Sequence, residues 1–271
     1  MENPFLSAIR IYPIKSLDPV ELKEAEVGIR SLRYDREYAM LAEDGGFVNG
    51  KRTGKVNQLK AEYDLLNERI KLSMRLGGEE KEFHLIKDKD SIEKFLSDFF
   101  EIKLHFLRRT NGELMDIPGA SSVTIVSDAS LASLQKDMPD HSINDLRLRF
   151  RANLELSGIN AFEEEWLFGD PGIGMKFLIG DVEMIGISPR ARCNVPPRDP
   201  FTGETNKSFV KNVIKSRSQS LPDNSRLPKY GNFYHLTVNT YIPESEKGKV
   251  IKVGDRIQLI EPVDLSSLSE N

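Results

Sequence analysis

Apolar and polar residues alternate along most of this chain in short runs, the period of a strand with one buried face. Phe5, Ser7, Ile9 and Ile11 alternate with Leu6, Ala8, Arg10 and Tyr12, and Pro13 then stops sheet pairing. Lys15 and Ser16 are therefore expected in a turn at the strand's end. Glu21 to Val27 reads as an edge strand with a charged outer face, and Asp44-Gly45-Gly46 as a hairpin turn. Residues 56 to 86 give three more short strand-like runs, with a turn at Gly77-Gly78. The period then changes. Ile92, Phe95, Leu96, Phe99 and Phe100 have helical spacing, with Asp90 and Glu93 as the expected capping pair.

Leu104 to Arg109 returns to a strand, and Asn111-Gly112 and Pro118-Gly119 break the pattern where a domain change is expected. Val123 to Val126 predicts a strand that runs into a helix capped by Ser127 or Asp128. Leu146, Leu148, Phe150, Ala152, Leu154 and Leu156 alternate without a slip, which predicts a strand with Arg147, Arg149 and Arg151 on its other face. Like charges so placed repel unless they are solvated or matched by an anion. Met175 to Ile185 reads as a hairpin turning at Gly180-Asp181. A short helix is expected around Val210, Val213 and Ile214, a strand over 232–238 and a closing element over 250–259. Many short strands with few helices predict a mainly β, α+β fold. No internal repeat is visible.

Composition narrows the class. The chain has 271 residues, 39% of them hydrophobic, enough for one large or two modest domains. A net charge of -4 argues against a general nucleic-acid binder but allows a local basic site. The single cysteine excludes a disulfide framework, an all-cysteine zinc site and an iron–sulfur cluster. The four histidines are far apart in sequence and lack metal-ligand spacing. No apolar run approaches the ~20 residues of a membrane span. The first strand begins almost at once and leaves no room for a signal peptide, so a soluble, cytoplasmic protein is expected. Glu163-Glu164-Glu165, beside the only tryptophan, reads as a surface charge run. Gly169 to Gly174 lacks the spacing of a nucleotide loop.

The chemistry concentrates in Pro189 to Gly203. This segment holds Cys193, flanked by Arg190, Arg192 and Arg198 and stiffened by prolines. Positive neighbours favour thiolate, which is both nucleophile and ligand for soft metals. The alternative is a buried cysteine acting as a small hydrophobe.

Arg192-Cys193, a short run, then Asp199-Pro200-Phe201-Thr202-Gly203 resembles the signature loop of the MOSC domain. That domain occurs in molybdenum cofactor sulfurases, the mitochondrial amidoxime-reducing component and YcbX-like bacterial proteins. Tyr12-Pro13-Ile14-Lys15-Ser16 is similar to the motif that opens the family's N-terminal domain, and Asp35-Arg36 to its Asp-Arg pair. Phe150-Arg151-Ala152-Asn153 resembles its Phe-Arg-Pro-Asn, with Ala152 in place of the proline. The resemblance implies an N-terminal β domain (1–107), a MOSC β-barrel (108–265) and a disordered tail (266–271). It implies the molybdenum cofactor, a metal-bearing molybdopterin, with Cys193 as the protein's ligand to the metal. Lys15, Ser16, Arg36, Arg52, Arg151, Asn153 and Arg192 would hold the pterin. Asp199 would position substrate or relay a proton; the other reading is a turn-forming residue before proline.

The implied activity is reduction of N-hydroxylated substrates by a monomer that receives electrons from separate haem, flavin or ferredoxin proteins. The stretch Lys207 to Arg217 is the expected docking surface for an acidic donor. Two other readings stay open: a sulfur carrier with a persulfide on Cys193, and a module that binds the cofactor for delivery.

Overall fold

A computed structural model describes residues 4–111, 114 and 123–270, without the last two side chains. The pattern breaks at Gly112 and Pro118-Gly119 lie outside the described residues. In the first part of the chain the strands are β1 (Phe5–Ile11), β2 (Val20–Leu22), β3 (Glu24–Glu26), β4 (Tyr38–Ala42), β5 (Leu59–Asp64), β6 (Arg69–Met74), β7 (Lys81–His84) and β8 (Leu104–Arg108). The second part adds β9 (Thr124–Ser127), β10 (Leu154–Ser157), β11 (Ile173–Ile179), β12 (Val182–Ala191), β13 (His235–Tyr241), β14 (Val250–Lys252) and β15 (Ile257–Asp264). The helices are α1 (Lys89–Phe100), α2 (Asp128–Asp137), α3 (Ile143–Phe150) and α4 (Phe209–Gln219). The mainly β expectation is met.

Eight strands form one sheet in the order β15-β11-β12-β13-β9-β10-β1-β2. Only the β9–β10 pair in it is parallel. An isolated bridge between Phe5 and Arg256 brings the start of β1 to the approach of β15. The core on this sheet joins Leu6, Ile9 and Ile11 to Ile125, Leu154, Phe177 and Val238. A cut between residues 107 and 108 would therefore separate β1 and β2 from their own sheet. A second core fills the space between β4–β8, β5–β6–β7 and α1, with Tyr38, Met40, Ile70, Leu96 and Phe106 buried. A third lies under α2, α3 and α4.

Four sequence expectations are corrected. Residues 143–150 form helix α3, not a strand. Ser142 caps it, its side chain accepting from the Asp145 N–H, and Leu146, Arg149 and Phe150 share the buried face at i, i+3 and i+4. Arg151 then turns left-handed, at φ 53°, and the strand starts only at Leu154. The run Glu21 to Val27 splits at Lys23, because β2 pairs with β1 while β3 pairs with β14. Helix α1 starts after Asp88, whose carboxylate accepts from the His84 N–H; Glu93 accepts from the Phe106 N–H, so neither Asp90 nor Glu93 forms the expected cap. Finally, Glu163-Glu164-Glu165 is not a surface run. Its 3₁₀ turn buries Glu164 and Glu165, which bond Ser127, Ser130 and Arg217.

Candidate functional site

Three chain ends converge on one cleft. Strand β1 ends at Ile11 and delivers Lys15 and Ser16 in a turn. Helix α3 ends in Arg151. Strand β12 delivers Arg192 and Cys193, after register shifts that re-aim the strand at Gly186/Ser188 and Pro189/Ala191. The loop is pinned to β13 on one side, where the Arg192 N–H donates to the Tyr234 carbonyl at 2.9 Å and the Tyr234 hydroxyl to the Cys193 carbonyl at 3.2 Å.

The cleft measures about 190 Å³ and is lined by Lys15, Ser16, Arg36, Lys51, Arg149, Arg151, Arg190, Arg192 and Cys193, with Asn49 and Thr124 among the neutral groups. No carboxylate of the described residues is part of that lining. Cys193 is exposed, which removes the reading of a buried small hydrophobe. Ser16, Arg36 and Arg151 hold left-handed backbone at φ 73°, 54° and 53°. Such conformations cost about 1 kcal/mol or more for non-glycine residues and collect at functional sites.

The cations differ in how they are held. Arg36 pairs with the buried Asp35 at 2.6 Å and donates to the Asn153 Oδ1 at 3.1 Å. Arg151 donates to the Leu17 carbonyl at 2.8 Å and lies 4.0 Å from the centre of the Tyr12 ring. No described carboxylate lies within ion-pair distance of it. Burial lowers the Arg151 pKa, and the neighbouring Arg36 charge pushes the same way. Tyr12 thus lies beneath both guanidiniums, with Arg36 at 4.8 Å. Arg192 donates to the Phe150 carbonyl at 2.9 Å. The Ser16 Oγ accepts from the Gly50 N–H at 3.3 Å, which leaves its own hydroxyl hydrogen for a ligand.

Lys15, Ser16, Arg36, Arg151, Arg192 and Cys193 are therefore brought together, while three expected residues stand apart from the lining. Asn153 is fully buried; its amide accepts from Arg36 and Thr124 and donates to the Arg10 carbonyl, so it acts through Arg36. Arg52 is exposed and paired with Asp44 at 2.9 Å. Asp199 caps a turn by accepting from the Phe201 and Thr202 N–H groups at 2.9 and 2.8 Å. Burial pushes its carboxyl up, but those bonds and Arg149 outweigh it and hold it below the usual range. Gly203 completes the turn at φ 80°, where a Cβ would meet the Gly54 carbonyl. The Asp-Pro-Phe-Thr-Gly stretch is thus a lock between the cysteine loop and residues 54–58, reinforced by Arg198 donating to the Gly50 carbonyl at 2.8 Å.

Sequence reasoning missed Lys51, Arg149 and Arg190 as lining groups. The arginine repeat at 147, 149 and 151 carried a signal, but the strand reading put all three on one face. Arg147 in fact pairs with Glu155 at 2.6 Å. Arg217 also differs from its expected place on a docking surface: it is buried against Glu165.

The donor set suits an anionic group that carries its own metal. Guanidinium matches phosphate geometry, and a thiolate binds soft metals. Among the described residues no three His, Cys, Asp or Glu side chains cluster as a bare-ion site. A metal bound here would need a chelator besides Cys193, which a molybdopterin supplies. The residues therefore fit the molybdenum cofactor.

The family model for the MOSC N-terminal beta barrel domain matches residues 4–103, and that for the MOSC domain matches residues 103–258. The mitochondrial amidoxime reducing component 2 of Bos taurus is 28% identical over 93% of this chain and 82% of its own length. The molybdenum cofactor sulfurase of Homo sapiens is 24% identical over 76% of this chain, but the match spans only 28% of that protein. A solved YuaD protein from Bacillus subtilis aligns over 96% of this chain and 98% of its own, at 10% identity and TM-score 0.38.

Proposed function

Since the chain belongs to the MOSC family, carrying the MOSC N-terminal domain followed by the MOSC domain, we propose that it is a molybdenum-cofactor-dependent oxidoreductase that reduces N-hydroxylated compounds. The observation that carries this reading is the pairing of the exposed Cys193 with a cleft whose Arg151 has no carboxylate partner among the described residues. Relatives named for amidoxime reduction support the substrate class.

Lys15, Arg36, Arg151 and Arg192 would hold the anionic pterin and its phosphate through charge-assisted bonds, and the Ser16 hydroxyl would add a donor. Cys193 would be the protein's ligand to the metal. Asn153 and Asp35 would keep Arg36 turned toward the cleft. When bound, the cofactor supplies a metal centre that passes two electrons to the N–O bond. The substrate takes up two protons, and water and the reduced amine or amidine leave. Electrons would arrive from a separate carrier protein. Lys207, Lys211 and Lys215 are exposed on and beside α4 and suit an acidic carrier. Among the described residues no helix is long and apolar enough to cross a membrane.

The test is reduction of N-hydroxybenzamidine by protein from a cofactor-making host, with NADH and an added electron-transfer chain. Turnover should require that chain and weaken with ionic strength. Cys193→Ser should abolish turnover while pterin content is kept, because a hydroxyl is a poor soft-metal ligand. Metal-free wild-type protein bearing a persulfide on Cys193 would replace this reading with sulfur transfer.

A further inference from the structure

The motif resemblance leaves Arg149 without a role, yet its guanidinium meets two carboxylates and two backbone carbonyls. Its side chain is only 4% exposed. Nε donates to the Asp145 carboxylate at 2.7 Å, on the oxygen that also meets the His141 Nδ1 at 2.6 Å. Nη1 donates to two backbone carbonyls of the cysteine loop, Pro196 at 3.1 Å and Arg198 at 2.6 Å. Nη2 reaches the Asp199 carboxylate at 3.4 Å. The guanidinium also lies 5.2 Å from the Phe209 ring centre, and His141 packs edge-on against the same ring.

We propose that Arg149 is the positioning residue that ties the Cys193 loop to α3, and so fixes the thiol relative to Arg151 at the helix end. Two residues before Arg151, it spans the gap between the helix and a loop some fifty positions later in the chain, with bonds at 47, 49 and 50 residues' separation. The Pro196 carbonyl is a buried backbone acceptor, and this guanidinium from outside the loop meets it. A guanidinium serves a carboxylate and two carbonyls at once, whereas a lysine ammonium is a single point that cannot span them. The Asp145–His141 pair orients the guanidinium. The catalytic consequence rests on the molybdenum reading; the mechanical one does not.

The test compares Arg149→Lys with wild type and with Arg151→Met. In cofactor-free protein, amide exchange of Arg198, Asp199, Gly203 and Asn206, whose N–H groups close the loop, should quicken by about tenfold or more in Arg149→Lys. Amides of β9 and β10 should not change. Affinity for inorganic phosphate should fall less than in Arg151→Met, since lysine keeps the positive charge on the cleft wall. Turnover of loaded protein should fall while its pterin content holds. Asp145→Asn, which removes the anchor of Arg149 and not its contacts to the loop, should quicken the same amides by less. Unchanged loop exchange in both variants would overturn the proposal. So would a loss of phosphate affinity in Arg149→Lys equal to that in Arg151→Met, which would make Arg149 an anion ligand. If wild-type protein lacks molybdenum, the functional reading fails, and loop exchange still decides the role of Arg149.

Discussion

Of the described arginines that lie over aromatic rings, the two nearest their ring centres meet different fates. Arg217 lies 3.8 Å from the centre of Phe162, is 2% exposed, and bonds the Glu165 carboxylate and the His235 carbonyl. Arg151 lies 4.0 Å from the centre of Tyr12 and is half-buried, and among the described residues its side chain bonds only the Leu17 carbonyl. The first charge is matched inside the fold and joins α4 to the 3₁₀ turn before β11. The second is held in place without a carboxylate among the described residues and opens into the cleft. A matched buried charge is structural. A positioned but unmatched one stores unfavourable desolvation that an arriving anion offsets.

That contrast can be broken by substitution. The largest effect is expected at the matched pair. Glu165→Gln leaves the Arg217 guanidinium buried without its counter-charge and should cost roughly 3–5 kcal/mol in urea unfolding. Phosphate affinity of the protein that remains folded should not move. Arg151→Met should do the reverse. Anion affinity should drop by about 1.5–3 kcal/mol, measured by titration calorimetry with phosphate, with stability nearly unchanged. Equal effects of the two variants on stability would erase the distinction.

The acidic side of the comparison has a pH signature. Burial pushes the Glu164 carboxyl up from its ordinary value of 4.5, against the bonds from Ser130 and Ser127. The folded state therefore holds this proton more tightly than the unfolded one. Its contribution is full below the unfolded value and is lost as pH rises through the folded one. Glu164→Gln should flatten that decline in urea midpoints measured across the range, and an unaltered pH profile would show that the group is ionised in the fold. The smallest effect concerns backbone strain. Ser16→Gly and Arg30→Gly both relieve a left-handed residue, at φ 73° and 56°, but glycine's freedom in the unfolded chain and, for Ser16, the lost bond to Gly50 oppose that relief, so stability should change by less than about 1 kcal/mol. Only Ser16→Gly should lower cofactor retention. Equal retention in both would remove Ser16 from the site.

The strands and the motif residues were legible because each announces itself locally. Alternation in β1 and the β11–β12 hairpin follows from one buried face, and proline marks the turn that carries Lys15. What was missed depended on partners far away in sequence. The run from Leu146 to Leu156 alternates by coincidence: Leu146 and Phe150 are one helical turn apart, and Leu148 is only half-buried. The cap at Ser142 was the available signal, and the left-handed Arg151 resets the phase into β10. Arg149 could not be found from its neighbours, since its work is done on carbonyls of another loop. Three consecutive glutamates looked like a solvated run because nothing nearby revealed Ser127, Ser130 or Arg217 beneath them. Asp199 was visible, but only the structure separates a turn cap from a group facing the cleft.

The central claim is that the cations around Cys193, Arg151 foremost, hold an anionic, metal-bearing cofactor. It is tested most directly by measuring molybdenum and released pterin, chain for chain, in wild-type, Arg151→Met and Glu165→Gln proteins from the same cofactor-making host. Wild type should carry both in stoichiometric amount, a well-folded Arg151→Met should be depleted of both, and whatever Glu165→Gln protein is folded should keep full content. Wild type without molybdenum or pterin, or Arg151→Met with undiminished content, would contradict it.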